Sequence, residues 1–447
     1  MLHSGAARPV VPLSPLRRRV VTAGLLLGML LGALEATVVS TAMPTVIARL
    51  GGLEHYSWVF SAYLLASTAS VPVWGRLSDL RGRRRLYLIG IAIFLLGSAL
   101  AGAAQSMIQL VAARAVQGLG AGAILPLAMT IVGEIYTLEE RARMQAVFSG
   151  VWGVASILGP LAGGYITDAL SWRWIFLLNI PFGLPAALLV VQALPESVPS
   201  RDQRVDWTGA VLLTLTIAAV LAGLSAGTGA RWPWLAGAAV GLAALGASER
   251  RTAHPILPFA LLARRVVAVS NLVVFLVGMA MFGAIAFVPL FVQGGLGRTA
   301  TEAGRVLTPL FLGWVTASIV GARLMLRVGY RLTSMGGVLI LALAFVALAV
   351  VPHDDWPLLL GVMAGLGTGM GFTMIALLLA VQRAVPRAEL GLATSLNQFA
   401  RSIGGAVGVA AMGAIVAAGV DAHAAGWGAH GTRAALALDP ATREALV

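Results

Sequence analysis

The sequence predicts an all-α, polytopic membrane protein, and three observations predict it. Of 447 residues, 59% are hydrophobic and only 11% charged, whereas soluble domains run at roughly half apolar and a quarter charged. Apolar stretches recur along almost the whole chain at the length, about 20 residues, that carries a helix across ~30 Å of hydrocarbon. The charges fall in the gaps between those stretches. Helices that satisfy their own backbone hydrogen bonds are the expected unit, since a β-barrel would show short alternating segments instead.

Apolar segments lie at 20–42, 58–76, 87–106, 107–133, 143–168, 174–193, 208–227, 232–248, 267–292, 303–325, 332–351, 356–381 and 391–418, thirteen in all. Residues 20–34 follow Arg17, Arg18 and Arg19 as a secretory signal would, but the segment continues through Glu35 to Met43 and is read as the first helix. The net charge of +13 comes entirely from Arg, with no Lys. Placing alternate gaps on one side gathers 22 of the 31 Arg there, in 1–19, 75–86, 134–143, 194–207, 249–266, 323–331 and 382–390. The positive-inside rule makes that side cytoplasmic, with the N-terminus on it. The charge is therefore a topology signal, not a nucleic-acid surface.

An internal repeat is visible. Gly75-Arg76-Leu77-Ser78-Asp79-Leu80-Arg81-Gly82-Arg83-Arg84 aligns with Ala322-Arg323-Leu324-Met325-Leu326-Arg327-Val328-Gly329-Tyr330-Arg331 at an offset of 247 residues. Each copy follows the second helix of its half, as two homologous halves would give. Four regions follow: 1–193 as a six-helix half, 194–266 as an inserted central pair of helices with flanking loops, 267–418 as a second half of five spans, and 419–447 as an Ala-rich, non-spanning tail. The chain would then end on the outside.

Three motifs carry chemistry. The loop from Gly75 to Arg85 sets Asp79 and Arg83 four apart and crowds Arg81, Arg84 and Arg85 around Gly82; taken alone it is topology charge plus a helix cap. Arg114-Ala-Val-Gln117-Gly118-Leu-Gly120-Ala-Gly122 puts an Arg inside an apolar helix, where a paired or functional role is the default, although an Arg about 10 Å deep can also reach the interface. Gly150-x8-Gly159-Pro160-Leu-Ala-Gly163-Gly164 lets helices approach and bend. Flanking strings are Leu34-Glu35-Ala36-Thr37-Val38-Val39-Ser40-Thr41-Ala42-Met43-Pro44, Trp172-Arg173-Trp174-Ile175-Phe176 with Asn179 and Pro181, Asp206-Trp207-x-Gly209, and Gly404-Gly405-x-x-Gly408.

In order and spacing these motifs resemble the major facilitator superfamily, in its fourteen-helix drug:proton antiporter branch. The resemblance implies two pseudo-symmetric six-helix halves plus two inserted central helices; the last helix is not seen, and Glu35 stands where many members carry Asp. It implies that Gly75, Asp79, Gly82, Arg83 and Glu134 form a conformational latch, that Arg114 serves proton coupling, and that the helix-5 glycines with Pro160 mark an exporter. The expected activity is export of amphipathic drugs in exchange for protons by alternating access, or export of one dedicated product.

Glu35 is the carboxylate deepest within an apolar span, because Glu134, Asp168 and Glu302 fall near ends. A carboxyl inside hydrocarbon can take up and release a proton as access alternates. Counting about fifteen residues from the cytoplasmic end sets Glu35 some 22 Å up, close to the depth of Arg114. The two are expected to pair, either as a coupling device or as a purely structural ion pair. Trp58, Tyr63, Gln117, Trp152, Asn397 and Arg401 are candidates for the substrate cavity, with Phe148, Phe282 and Phe287 beside them; packing or lipid contact competes at each. Arg401, a further intramembrane charge, suits an anionic group or a carbonyl.

Other classes are disfavoured. With no Cys, and six His without ligand spacing, neither redox nor metal chemistry is expected. No phosphate-binding Gly-x4-Gly-Lys-Ser/Thr loop points to ATP, and no nucleophile or paired carboxylates point to an enzyme. A channel or sensor would be expected to add a soluble domain. The expected cofactor set is empty, with the proton gradient as energy source. Expected partners are a small molecule and the lipid bilayer, with no nucleic acid and no obligate protein, in a monomer. Arg-biased coding and short loops suggest a bacterial cytoplasmic membrane.

Overall fold

The first helix is opened by a Ser followed by a Pro. Ser14 accepts a hydrogen bond from the Arg17 backbone N–H at 3.4 Å, with Pro15 at the first helical position. Helix α1 (Pro15–Leu50) then runs 36 residues until Gly51, at φ 69°, ends it. The computed structural model describes residues 13–196, 207–225, 230–252, 259–350, 355–386 and 390–424, and among these there is no strand.

Next come α2 (Tyr56–Arg81), α3 (Arg83–Ala103), α4 (Met107–Ile135), α5 (Leu138–Ala169), the short α6 (Arg173–Leu177) and α7 (Asn179–Ala193). They are followed by α8 (Trp207–Ser225), α9 (Arg231–Arg251), the one-turn α10 (Phe259–Leu262), α11 (Arg265–Leu290), α12 (Ala300–Val350), α13 (Trp356–Ala384) and α14 (Leu390–Ala424). Each of the thirteen apolar segments falls on these helices, with α6 and α7 sharing one and α12 carrying two. Nine helical segments among the described residues are long and apolar enough to cross a membrane by length and composition. The chain is a multi-pass membrane protein.

Caps fix several of the starts. Ser106 caps α4, Asp355 caps α13, and Thr137 with Glu140 forms a reciprocal capping box on α5. The aligned repeat has a backbone counterpart. Gly82, between α2 and α3, sits at φ 93° and ψ 141°, and its repeat partner Gly329, where the two membrane segments of α12 meet, sits at φ 83° and ψ 167°. Only Gly adopts that region without strain, so both copies spend a glycine on the same turn.

Helix α1 packs against α4, α5, α7 and α11; α2 and α3 pack against α4, and α11 against α13 and α14. Helices α8 and α9 form a hairpin whose first member lies on α2 and α14. Helix α14 continues to Ala424, six residues past the expected end at 418, because its run of Ala and Gly carries on as helix without a break. Residues 425–447 of the expected tail, and 197–206 and 253–258 of the expected central loops, lie outside the described residues.

Hydrogen bonds that tie the first seven helices to the last four gather toward the end of the bundle that holds Leu50. There Gln293 donates to the Thr41 carbonyl at 2.8 Å, the Tyr56 hydroxyl donates to the Ala286 carbonyl, and Ser61 donates to the Ala406 carbonyl at 3.2 Å. Gln293 belongs to a single π-turn, Phe291–Gly295, that closes α11. A Cβ added at Gly32, Gly75 or Gly150 would meet nothing within 4 Å, as at Gly51 beside Leu50, whereas at Gly24 and Gly28 it would strike Val190 and Tyr87.

Candidate functional site

The midlevel of the bundle holds a buried polar cluster built from four helices, with α2 packed against it. Helix α4 contributes two members one turn apart, Arg114 and Gln117, and its glycines set them in place. A Cβ at Gly118 would strike the Tyr63 carbonyl of α2, and one at Gly120 would strike the Phe94 backbone of α3, so α4 rests directly on both neighbours. Glu35 comes from α1, Ser98 from α3 and Asn179 from the start of α7.

Glu35, Arg114, Gln117, Ser98 and Asn179 are each at most 3% exposed. The Arg114 guanidinium donates to Glu35 Oε1. Glu35 Oε2 accepts from Gln117 Nε2 at 2.9 Å and from Asn179 Nδ2 at 2.8 Å, and both amides also donate to Ser98 Oγ, at 2.8 and 3.1 Å. Arg114 has further partners. It donates to Gln117 Oε1 at 2.6 Å and to the Val59 carbonyl at 3.1 Å, and it stacks 4.2 Å from the centroid of the Tyr63 ring. Both charges are thus paired and hydrogen-bonded, the condition for tolerating them in low dielectric.

The expected pairing of Glu35 with Arg114 is therefore present in the structure. Gln117 is a ligand of the pair and does not line a cavity, because its amide is spent on Glu35, Arg114 and Ser98. Asn179 and Ser98 are members the sequence reading did not place there. Asn179 stood in a quoted string, but nothing in its spacing says that α7 begins at the level of Glu35, and Ser98 carries no signal beyond being polar in an apolar run.

In the loop region Arg83 Nε lies 3.0 Å from Glu134 Oε1, and its terminal nitrogen donates to the Thr130 carbonyl at 3.4 Å. These contacts join α3 to α4 and do not bridge to α11–α14. The side chain of Asp79 lies outside the described residues. Gly82 is pressed by the carboxylate of Glu196, which also accepts from the Arg85 backbone N–H at 3.2 Å.

The helix-5 motif packs tightly at one end only. A Cβ at Gly159 would strike Thr37, at Gly163 the Val38 carbonyl at 2.8 Å, and at Gly164 the Thr301 backbone at 2.6 Å, while Gly304 of α12 is pressed against the Pro160 carbonyl. Gly150 does not share in this. It lies on an exposed face of α5 and meets nothing within 4 Å, while Gly153 keeps only an ordinary contact with Val315 at 3.6 Å. Beyond the glycines, Asp168 Oδ2 accepts from Thr301 N at 2.8 Å and Thr301 Oγ1 at 2.6 Å, and Oδ1 from Ala300 N at 3.3 Å. The end of α5 thereby caps the start of α12.

The remaining cavity candidates divide. Tyr63 lies under Arg114. Trp152, partly buried, packs against two apolar clusters. Trp58 packs among Leu213, Leu221 and Ala410 between α2, α8 and α14, because its position on α2 turns it toward the α8 hairpin and away from the charged cluster. Phe148 is sealed in the core, and Phe287 stacks edge-on against Tyr56 at 5.1 Å. Asn397 donates to Asn271 Oδ1 at 3.2 Å, and Arg401 stands one turn further along α14. No group of three or more His, Asp or Glu that would hold a metal occurs among the described residues.

The family description Major Facilitator Superfamily matches residues 25–409. Multidrug transporter protein MdtP of Bacillus subtilis is 37% identical over 409 residues, which cover 90% of this chain and 75% of that protein. Multidrug resistance protein 3 of the same organism is 35% identical over 406 residues, covering 88% of this chain and 79% of that one. Efflux pump FUS6 of Gibberella moniliformis is 31% identical, covering 86% and 71%. Among solved structures, a bacterial homolog of the human lysosomal transporter Spinster, in an inward-facing and unoccupied conformation, superposes with a TM-score of 0.68 at 15% identity, over 97% of this chain and 94% of that one.

Proposed function

From the premise that this chain belongs to the major facilitator superfamily, we propose that it is a secondary transporter which exports amphipathic small molecules in exchange for protons, with Glu35 as the proton-carrying group. The multidrug relatives support the substrate class. The observation that carries the coupling is the coordination of Glu35: a single buried carboxylate holding one guanidinium and two amides. Taking a proton removes the charge that faces Arg114, and Arg114 keeps the Val59 carbonyl, Gln117 Oε1 and the Tyr63 ring. Those three neutral partners lower the cost of leaving the cation without its anion. Protonation thus switches the cluster between two satisfied states, which is what a coupling site needs.

The chain divides into a first half of six spans, an inserted pair and a second half of five. The N-terminus is cytoplasmic in a bacterial inner membrane, and the protein acts as a monomer without a cofactor. With that orientation, the sealed Leu50 end is the outer one. Gly32, one turn below Glu35 on a helix that contacts α4, α5, α7 and α11, has nothing within 4 Å of an added Cβ, which supports an opening toward the cytoplasm.

The test uses purified protein in proteoliposomes under an imposed pH gradient, following a fluorescent cationic dye for wild type and Glu35→Gln. Gradient-driven movement in the wild type that is lost in the variant is the expected result. Movement unchanged by the substitution removes Glu35 from the mechanism.

A further inference from the structure

Arg401 sits in the middle of α14, on the face turned to α11: its carbonyl presses on Gly278, and Gly404 and Gly408 on the same face rest on the Phe275 and Met279 backbone. Helical side chains lean toward the N-terminus of their helix, which sends Arg401 toward the layer of Asn397, one turn below. There Asn397 donates to Asn271 Oδ1, and in doing so uses that amide's acceptor. What remains is unequal. Asn271 Nδ2 and Arg401 Nε are both sealed from solvent, and neither has a hydrogen-bond partner.

No carboxylate faces Arg401 among the described residues, and its side chain is only partly buried. The rest of the guanidinium is therefore reachable while its Nε lies buried and unpartnered. Both orphan atoms are donors, and one belongs to a permanent cation. A group of buried donors with no acceptor is costly to leave unmet, and the only chemistry that satisfies it is an acceptor, best an anionic one, because a guanidinium holds a carboxylate through paired N–H bonds.

We propose that Asn271, Asn397 and Arg401 form a donor-lined subsite that takes the carboxylate of an exported zwitterion or organic acid. The subsite deepens the export reading and rests on it. It is separate from the Glu35 cluster, which lies on α1, α3, α4 and α7 and has both carboxylate oxygens engaged by Arg114, Gln117 and Asn179.

The experiment compares two matched dyes, rhodamine 110, which carries a free carboxylate, and rhodamine 123, its methyl ester. Binding is read by fluorescence anisotropy on the full chain in nanodiscs, and transport in proteoliposomes. Arg401→Gln is expected to weaken rhodamine 110 binding about tenfold or more, the loss of a charged hydrogen bond, and to change rhodamine 123 by less than about threefold. Arg401→Lys, which keeps the charge without the fork, is expected to fall between. Asn397→Asp, which supplies an internal carboxylate one turn from Arg401, is expected to depress rhodamine 110 binding selectively, and it serves if Arg401→Gln does not fold.

Equal losses for acid and ester, no loss for either, or failure of the wild type to bind rhodamine 110 would overturn the subsite. Binding that discriminates acid from ester while no gradient drives movement would leave the subsite standing and defeat the proton-coupled export reading instead.

Discussion

Removing the carboxylate of Asp168 tests whether the α5 to α12 junction sets the balance between conformations. In the structure this side chain accepts three hydrogen bonds at the start of α12, two from backbone N–H groups and one from the Thr301 hydroxyl. Asp168→Ala deletes all three. Loss of a capping side chain costs about 0.5–2 kcal/mol, and loss of a negative charge at a helix N-terminus adds about 0.3–1 kcal/mol. Together, about 1–3 kcal/mol is withdrawn from the arrangement in which the two helices touch, a shift of roughly 5- to 150-fold in its population relative to one where they part. The chain has no Cys, so spin labels at Leu170→Cys and Leu358→Cys, both exposed in the structure, report without background. The expected result is growth of a longer-distance population in Asp168→Ala and a smaller growth in Asp168→Asn, which keeps one acceptor oxygen. A distance distribution indistinguishable from wild type would show that the cap is incidental and that the glycine contacts and the Gln293, Tyr56 and Ser61 hydrogen bonds suffice to hold the halves.

Three further outcomes follow from named contacts. Arg114→Leu leaves Glu35 buried without its cation and should destabilise the protein by about 3–5 kcal/mol in a detergent melt, with Glu35→Gln/Arg114→Leu recovering part of that loss; equal melting of the single and double variants would contradict a paired site. Gly304→Val, set against the Pro160 carbonyl, should cost about 1–3 kcal/mol by overpacking, whereas Gly150→Ala, in open space, should stay within about 0.5 kcal/mol of wild type; the reverse order would mean the helices are not packed as described. Glu140, at the start of α5 and outside its apolar segment, is held below the ordinary carboxylate range, first by the Thr137 backbone N–H and then by Arg18, against the opposing effect of burial. A depressed value means its stabilisation is fully present above the ordinary carboxylate range and is lost as pH falls through the lowered value, so the melting advantage of wild type over Glu140→Gln should exist at neutral pH and vanish in acid.

Much of this architecture is legible because lipid imposes length: an apolar run of the right span has few alternatives to being a helix, and thirteen such runs landed on helices. The level of Glu35 was legible for the same reason, since a constant rise per residue turns sequence distance into depth. Azimuth was not. Trp58 and Gln117 were both placed at the cavity by depth and type, and the structure turns one toward the α8 hairpin and commits the other to the ion pair. Asn179 could be found only by knowing which face of the Arg173–Ala193 span turns to the cluster. Gly150 shows the limit of motif reasoning, because glycines at a fixed spacing look equivalent until it is known which of them face a neighbouring helix. The repeat at Gly82 and Gly329 was readable because a conformation open almost only to Gly leaves a mark in sequence.

The tight contact of α12 with the Gly159–Gly164 end of α5 makes α5 a lever arm. If Gly164 is the fulcrum, the 26 residues back to Leu138 form an arm of about 39 Å, and a tilt of only about 10° sweeps its tip through about 7 Å. An aperture wide enough for a drug-sized solute can therefore open or close at one membrane face with sub-ångström adjustments where the glycines meet.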